Sequence, residues 1–112
     1  MTSVWPEQAS GLEAIEIPDG TLVRMWGSVD ESLRAQASAV MAHALVRSGP
    51  VVVDADAMEF VDSSGLAFIL QLLRAAQEDG RPVVLRDPPT LLLEMLDLLG
   101  LSDQVPLEFS TS

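Results

Sequence analysis

The chain has 112 residues, of which 48% are hydrophobic, and its 17 acidic residues outweigh 6 basic ones to give a formal net charge of −11. This length fits one domain with an apolar core, and the charge argues against nucleic acid and anionic membrane as partners, because both require a basic surface. The acidity suits a partner with a basic surface, and it equally suits a chain that only has to stay in solution. With no cysteine and a single histidine, neither a thiolate metal site nor a histidine cluster is available.

The sequence contains no secretion signal and no membrane span. Its N-terminus lacks a basic region followed by an apolar run, and no uncharged apolar stretch reaches the roughly 18 residues that a spanning helix requires. We therefore expect a cytoplasmic protein without membrane insertion.

The first quarter of the chain predicts a tail and a β-hairpin. Residues 1–11 show no periodicity and are expected to form a flexible N-terminal tail. Apolar and polar residues alternate over residues 12–17, and residues 21–26 (TLVRMW) read as a second strand. The turn sequence Pro18-Asp19-Gly20 separates the two segments, which indicates two antiparallel strands.

The next segment predicts a helix that begins after Ser28 or Asp30, since either side chain can cap the free amide groups of a helix start. Apolar residues at helical spacing mark its buried side: Leu33, Ala37, Val40 and Ala44, widened by Met41 and Leu45. His43 lies off the centre of this stripe, and we interpret it as a flanking surface residue because no partner group is near it in sequence. Gly49 and Pro50 then end the helical segment.

Residues 51–65, VVVDADAMEFVDSSG, form the stretch around which the rest is organised. The three valines predict a buried strand in the middle of a mixed or parallel sheet. Residues 54–61 predict an acidic loop, which leads to Asp62-Ser63-Ser64-Gly65 at the start of a second helix. Serine and aspartate at a helix start usually act as caps. The residues alone therefore leave Ser63 either as a cap or as a serine presented for modification.

The second helix is expected to bury one stripe of residues: Leu66, Ile69, Leu70 and Leu73, with Ala76 at its edge. At 100° per residue, the opposite side carries Ser64, Ala67, Phe68 and Gln71. Phe68 and Leu72 are then expected at or near the surface, and two exposed apolar side chains beside a serine indicate a docking face. The alternative is that a third helix covers Leu72.

The last third of the chain predicts a strand, a helix and a short edge strand. Residues 81–86 read as the strand, and Asp87 followed by two prolines predicts the start of the helix. The apolar face of this helix is expected to consist of Leu91, Leu92, Met95, Leu98 and Leu99. Gly100 is expected to end it in a left-handed conformation so that Leu101 packs back. Residues 105–109 are expected to form the edge strand and residues 110–112 a C-terminal tail.

The predicted element order is β-β-α-β-α-β-α-β. Strands that alternate with helices require crossover connections between parallel strands. The fold class is therefore α/β, with one domain over residues 12–109 and a single mixed sheet of about five strands packed with helices.

The residues give little support for catalysis. Asp54 and Asp56 lack further ligands at a recognised spacing, so we expect no metal site and no cofactor. The Gly-x-Ser-x-Gly elbow of hydrolases is absent, and no base lies near Ser63 in sequence, which argues against self-contained serine catalysis. A small enzyme that uses the acidic loop is the alternative outside the binding proteins.

The chain resembles the STAS domain family, which includes bacterial anti-sigma factor antagonists and the tails of sulfate transporters. The resemblance covers residues 12–109 and is most specific in VVVDADAMEFVDSSGLAFIL, which is similar to the family pattern of apolar strand, Asp, short loop and aromatic-apolar-Asp-Ser-Ser-Gly-Leu. Residues 27–30 (GSVD) are similar to the Gly-x-Leu-Asp before helix 1 of the family, and residues 96–101 (LDLLGL) to its closing helix end. Val29 and Ala67 depart from the pattern, which usually has Leu and Gly there.

This resemblance implies that Ser63 is phosphorylated by a kinase-type anti-sigma factor, with Ser64 as the alternative acceptor. The unphosphorylated antagonist binds the anti-sigma factor and so frees a sigma factor, whereas the phosphorylated form is released until a phosphatase resets it. Together with the helix face, the resemblance places partner-binding residues at Asp30, Asp62, Ser64, Ala67, Phe68 and Gln71. The alternative within the family is a STAS subunit that steadies a transporter or stressosome-like assembly without being phosphorylated.

Overall fold

The structure is a computed structural model that describes residues 9–110, so residues 1–8 of the expected N-terminal tail and the last two residues of the expected C-terminal tail lie outside it. Five strands form one sheet, and their spatial order follows the chain. The strands are Gly11–Ile17 (β1), Gly20–Val29 (β2), Val51–Val61 (β3), Val83–Arg86 (β4) and Leu107–Glu108 (β5). β1 and β2 are antiparallel, and every other neighbouring pair is parallel. The predicted single mixed sheet is confirmed, with the predicted central strand, β3, in the middle.

Three helices cross between the parallel strands: Arg34–Leu45 (α1), Ser63–Glu78 (α2) and Thr90–Leu98 (α3). A short 3-10 turn, Glu31–Leu33, precedes α1, and a second one, Ser102–Gln104, precedes β5. One apolar core joins alternate residues of the sheet, such as Val23 and Val53, to the inner sides of all three helices. Strand residues of the other parity, such as Leu22 and Val52, are only half-buried. The helices therefore pack on one face of the sheet.

β2 and β3 both extend further than their sequence patterns indicate. β3 continues through residues 54–61, so the prediction of an acidic loop there is wrong, and β2 passes Gly27 to end at Val29. Two register shifts between the strands allow the longer pairing, one of them directly after Gly27, whose φ is 70°. From Ala55 to Val61 every third residue of β3 is buried rather than every second one. Because bulges break the period of two, the pattern was not recognisable as a strand.

α1 follows the sequence prediction closely. Leu33, Val40 and Ala44 are buried, and Ala37, Met41 and Leu45 pack partly buried against them. Of the two candidate caps, Asp30 caps the 3-10 turn that precedes α1, because its carboxylate accepts a hydrogen bond from the Ser32 N–H at 3.0 Å. α1 itself begins after Leu33 without a side-chain cap. His43 is exposed, as predicted, and its Nε2 lies 3.5 Å from the Glu16 carboxylate.

The buried side of α2 is wider than predicted. Leu66, Ile69, Leu73 and Ala76 are buried as expected, but Leu70 is only partly buried. Phe68 and Leu72 are 8% and 0% exposed, so their predicted exposure is wrong. α2 contacts α1 as well as β3 and β4, and a helix covered from several sides buries more than one stripe. Leu72 belongs to the core cluster, to which α3 also contributes Leu92 and Leu96.

α3 begins at Thr90 and is not capped by Asp87. Asp87 has a left-handed φ of 52°, which does not fit the extended backbone of a capping residue. Leu98 and Leu99 are 84% and 60% exposed, so their assignment to the buried face is wrong. Gly100 has the predicted left-handed φ of 71°, and the Leu101 N–H donates to the Leu96 carbonyl at 2.8 Å. The chain thus reverses after α3 and returns Leu101, rather than Leu98 or Leu99, to the core.

Two arginines secure the end of the sheet at which β2, β3 and β4 begin. Arg81 is 6% exposed, and it donates from Nε to the Gly49 carbonyl at 2.6 Å and from Nη1 to the Ala44 carbonyl at 2.9 Å. Arg47 donates from Nη2 to the carbonyls of Ile17 and Gly20, at 3.2 and 3.0 Å. These bonds join the end of α1 to the starts of the parallel strands.

Candidate functional site

Asp62 connects the central strand to α2 and acts as the cap of the helix. Its Oδ1 accepts a hydrogen bond from the Gly65 N–H at 2.9 Å, and its own N–H donates to the Val29 carbonyl at 3.3 Å. Ser63 and Ser64 are the first two residues of α2, and both are exposed. Neither serine side chain makes a hydrogen bond within residues 9–110. Since Asp62 supplies the cap, both hydroxyl groups are free at the surface.

Gly65 allows the first turn of α2 to pack directly on the sheet. A Cβ atom at this position would collide with the Val29 carbonyl oxygen and would lie 2.8 Å from Cγ2 of Val61. Any larger residue would therefore push α2 away from the ends of β2 and β3. The glycine of the Asp-Ser-Ser-Gly sequence fixes the position of the two serines relative to both strands.

Three aspartates stand at the carboxyl ends of three parallel strands. Asp30, Asp62 and Asp87 directly follow β2, β3 and β4. Each carboxylate accepts a backbone N–H: Asp30 from Ser32, Asp62 from Gly65 and Asp87 from Ser110 at 2.7 Å. Val29 pairs with Val61, so Asp30 and Asp62 lie together at the end that carries Ser63. Arg86 pairs with Asp54, so Asp87 lies lower on the sheet, about seven residues of β3 away from Asp62.

A groove of about 330 Å³ opens between α1 and α2 beside the serines. Its apolar lining includes Leu33 and Met41 of the α1 side and Ala67 and Phe68 of α2. Five of the six predicted partner-binding residues line it: Asp30, Ser64, Ala67, Phe68 and Gln71. Asp62 and Ser63 lie outside the lining. The residues expected to form a docking face thus line a groove, and Phe68 contributes to its wall although it is 8% exposed.

Phe60 is an exposed aromatic residue that the sequence did not single out. It is 47% exposed and lies at the end of β3, two residues before Asp62. Its neighbour Val61 is buried, so Phe60 projects from the opposite face of the strand. The aromatic residue of the family pattern was the available signal, but its exposure depends on β3 extending to Val61.

The described residues offer little for metal chemistry. Among residues 9–110 no group of three or more His, Asp or Glu side chains is arranged to hold a metal ion. Asp54, which the sequence paired with Asp56, instead accepts a hydrogen bond from the Asp56 N–H at 3.1 Å. Within the same range, none of the helices has the length and apolar character needed to cross a membrane.

The model of the family described as "Mlab, STAS domain" matches residues 19–108, which is most of the chain. The chain belongs to the STAS domain family. The resemblance noted in the sequence is thereby confirmed. A comparison with curated protein sequences finds no match.

Solved structures of anti-sigma factor antagonists share this STAS fold. An antagonist from Mycobacterium paratuberculosis is 26% identical, with a TM-score of 0.69 over 88% of this chain and 85% of that chain. The Bacillus cell fate determinant SpoIIAA in its phosphorylated form is 21% identical, with a TM-score of 0.64 over 93% of both chains. Unphosphorylated SpoIIAA is 18% identical, with a TM-score of 0.68 over 93% of this chain and 89% of that one.

Proposed function

We propose that this STAS domain is a bacterial, cytoplasmic anti-sigma factor antagonist that acts by binding and not as an enzyme. In this proposal it binds a serine-kinase-type anti-sigma factor when unphosphorylated, and phosphorylation of Ser63 releases it until a phosphatase restores the serine. Transcription is thereby regulated indirectly. The observation that carries the proposal is the exposed, unbonded Ser63 hydroxyl at the start of α2, where Asp62 already supplies the cap.

The start of α2 is electrostatically suited to a phosphate group. Free amide groups and the positive end of the helix dipole favour an anion there, so α2 need not unfold when Ser63 is modified. The phosphate adds about −1.5 to −2 charges next to Asp62. Ser63 is a better acceptor than Ser64, because Ser64 lines the groove and Ser63 lies outside it. Release then follows from the loss of shape and charge fit at the partner surface.

The surface around Ser63 is suited to a basic partner with an aromatic or apolar contact. Glu59 and Glu31 are exposed there, Asp30 and Asp62 are partly exposed, and the whole chain carries a net charge of −11. Positively charged partner surfaces are attracted to such a region and associate with it faster. Phe60 supplies the exposed aromatic side chain that interfaces often use as an anchor.

Phosphorylation by purified anti-sigma factors tests the proposal. The chain is incubated with ATP and each serine-kinase-type anti-sigma factor of its source, and the intact mass is measured. We expect a single added phosphate in the wild type and in Ser64→Ala, and none in Ser63→Ala. A phosphate that persists in Ser63→Ala and disappears in Ser64→Ala would move the acceptor to Ser64. No phosphate with any such kinase would contradict the antagonist mechanism.

A second candidate function is a STAS subunit of a transporter or stressosome-like assembly that is not phosphorylated. It is favoured by one observation: the matching family model carries the name Mlab rather than that of an antagonist. Co-purification with a transporter ATPase, together with no phosphate on either serine, would support this candidate.

A further inference from the structure

The groove between α1 and α2 has a partly apolar lining that phosphorylation of Ser63 does not explain. Ser64 and Ala67 line its α2 wall next to the proposed acceptor. Ala37, Ser38 and Met41 line its α1 wall, up to about two turns beyond the start of that helix. The groove therefore extends from the serines along α1. A partner that covers Ser63 also passes over the opening beside Ser64.

We infer that the groove receives one apolar side chain of a protein partner, flanked in the partner sequence by basic residues. The inference deepens the proposed function and rests on it for the identity of that partner as an anti-sigma factor. The lining and the charge of the groove support it, and its volume leaves room for such a side chain.

The lining favours an apolar side chain, and the volume has ample room for one. A volume of about 330 Å³ lies at the lower limit of small-molecule pockets, which range over roughly 300–1,000 Å³. Phe68, Leu33 and Met41 give the groove an apolar lining, and Phe68 and Leu33 are themselves held in the core. Walls that are already packed lose little freedom when an apolar group enters. Interface anchors typically fill small preformed pockets of this kind.

The charge of the groove determines which residues can flank the apolar side chain in the partner sequence. The ionisable residues of the lining are Asp30, Glu31 and Arg34, and the Arg34 guanidinium is already paired with Glu31 at 3.3 Å. Asp30 adds a carboxylate, and the chain as a whole carries −11. Basic residues on either side of the anchor are therefore attracted, and acidic ones are repelled. The same charge disfavours a second copy of this chain as the occupant.

A peptide titration tests the inference without a kinase or ATP. The probe is Ac-Ala-Arg-Leu-Arg-Ala-NH2, added to the ¹⁵N-labelled full-length chain and followed by amide chemical shifts. We expect saturable shifts at Ser64, Ala67, Phe68 and Met41. Replacing the leucine of the peptide by alanine should weaken binding about tenfold, because most of the buried apolar area is lost. Replacing both arginines by glutamate should abolish saturation.

Two variants of α1 separate the groove from the rest of the helix. Ser38→Trp places a large side chain in the groove from an exposed position, and it should remove the shifts. Gln36→Trp is the matched control, because Gln36 is also exposed but points about 200° away around the helix, and it should keep them. A well-dispersed spectrum confirms that each variant is folded, and Ala67→Trp provides a second groove-filling variant.

Shifts that are absent, that lie elsewhere, that are equal for the leucine and alanine peptides, or that survive in both groove-filled variants would overturn the inference. Phosphorylation of Ser63 is measured separately by mass. A failed titration with normal phosphorylation would thus remove the groove and leave the antagonist function. A successful titration without phosphorylation would remove the switch and leave the groove as a partner site.

Discussion

The two ends of the parallel strands are secured by opposite chemistry. Where the strands begin, the side chains of Arg47 and Arg81 donate hydrogen bonds to backbone carbonyls. Where the strands end, the side chains of Asp30, Asp62 and Asp87 accept hydrogen bonds from backbone amides. Arg81 is buried, whereas all three aspartates remain partly exposed.

We interpret the arginine end as the part that stabilises the fold and the aspartate end as the part that is available for binding. A buried guanidinium must keep its partners, because an unpaired charge or carbonyl in the core costs free energy. At the other end, the aspartates complete the backbone bonds that serines would otherwise have to make. Ser63 and Ser64 are thereby left without a structural role at the surface. We expect substitutions at the arginine end to affect folding, and substitutions of exposed residues at the aspartate end to affect binding.

Arg81→Ala should give the largest effect. It removes two hydrogen bonds from a charged donor and leaves the Ala44 and Gly49 carbonyls unpaired, so the free energy of unfolding should fall by about 3 kcal/mol. Urea denaturation measures this loss. Arg34→Ala, which removes an arginine from an exposed ion pair with Glu31, is the control and should change stability by less than about 0.5 kcal/mol. Similar losses in both variants would contradict the contrast between the two ends.

The two phenylalanines near the serines should separate packing from binding. Phe68→Ala removes a ring that is 8% exposed and should lower the free energy of unfolding by about 3 kcal/mol. Phe60→Ala removes a ring that is 47% exposed and should change it by less than about 1 kcal/mol. Binding to an anti-sigma factor, measured by calorimetry, should nevertheless weaken in Phe60→Ala. A Phe60→Ala variant that binds normally would remove Phe60 from the proposed surface.

The smallest expected effect concerns Asp87, the aspartate that follows β4. Hydrogen bonds from the Ser110 hydroxyl and then from the Ser110 N–H lower the pKa of Asp87 below its ordinary value of 3.8. Since the pKa is lower in the folded chain, the resulting stabilisation is present above about 3.9, the unfolded value, and is lost as the pH falls through the folded pKa. Ser110→Ala should raise the pKa of Asp87 towards 3.8, as followed by carboxyl NMR titration. Ser102→Ala should leave it unchanged, and an equal pKa in all three chains would show that the Ser110 hydroxyl does not lower the pKa of Asp87.

The sequence was sufficient wherever one local pattern decides the structure. The stripe of α1, the valines of β3, the capping position of Asp62 and the left-handed Gly100 are each recognisable from near neighbours. Together with the family resemblance, these patterns were enough for the sheet and for the place of Ser63.

The errors arose where distant residues decide the outcome. β3 extends to Val61 because β2 pairs with it through bulges, and no local period reveals such pairing. Phe68 is buried because α2 contacts α1 in addition to the sheet, which a single helical wheel does not contain. The groove follows from that same contact, so only the assembled fold could show that the predicted docking residues line a cavity.

The close approach of Gly65 to the ends of β2 and β3 limits how a modification of Ser63 could be transmitted. Because the first turn of α2 sits directly on two strands, it has no room to tilt or slide inward. An inward movement of the helix therefore does not transmit the modification to distant parts of the domain. A phosphate there would act only over the distance at which a charge is felt in physiological salt, about 8 Å. Whatever detects the modified serine must therefore lie within about that distance of this turn of the helix.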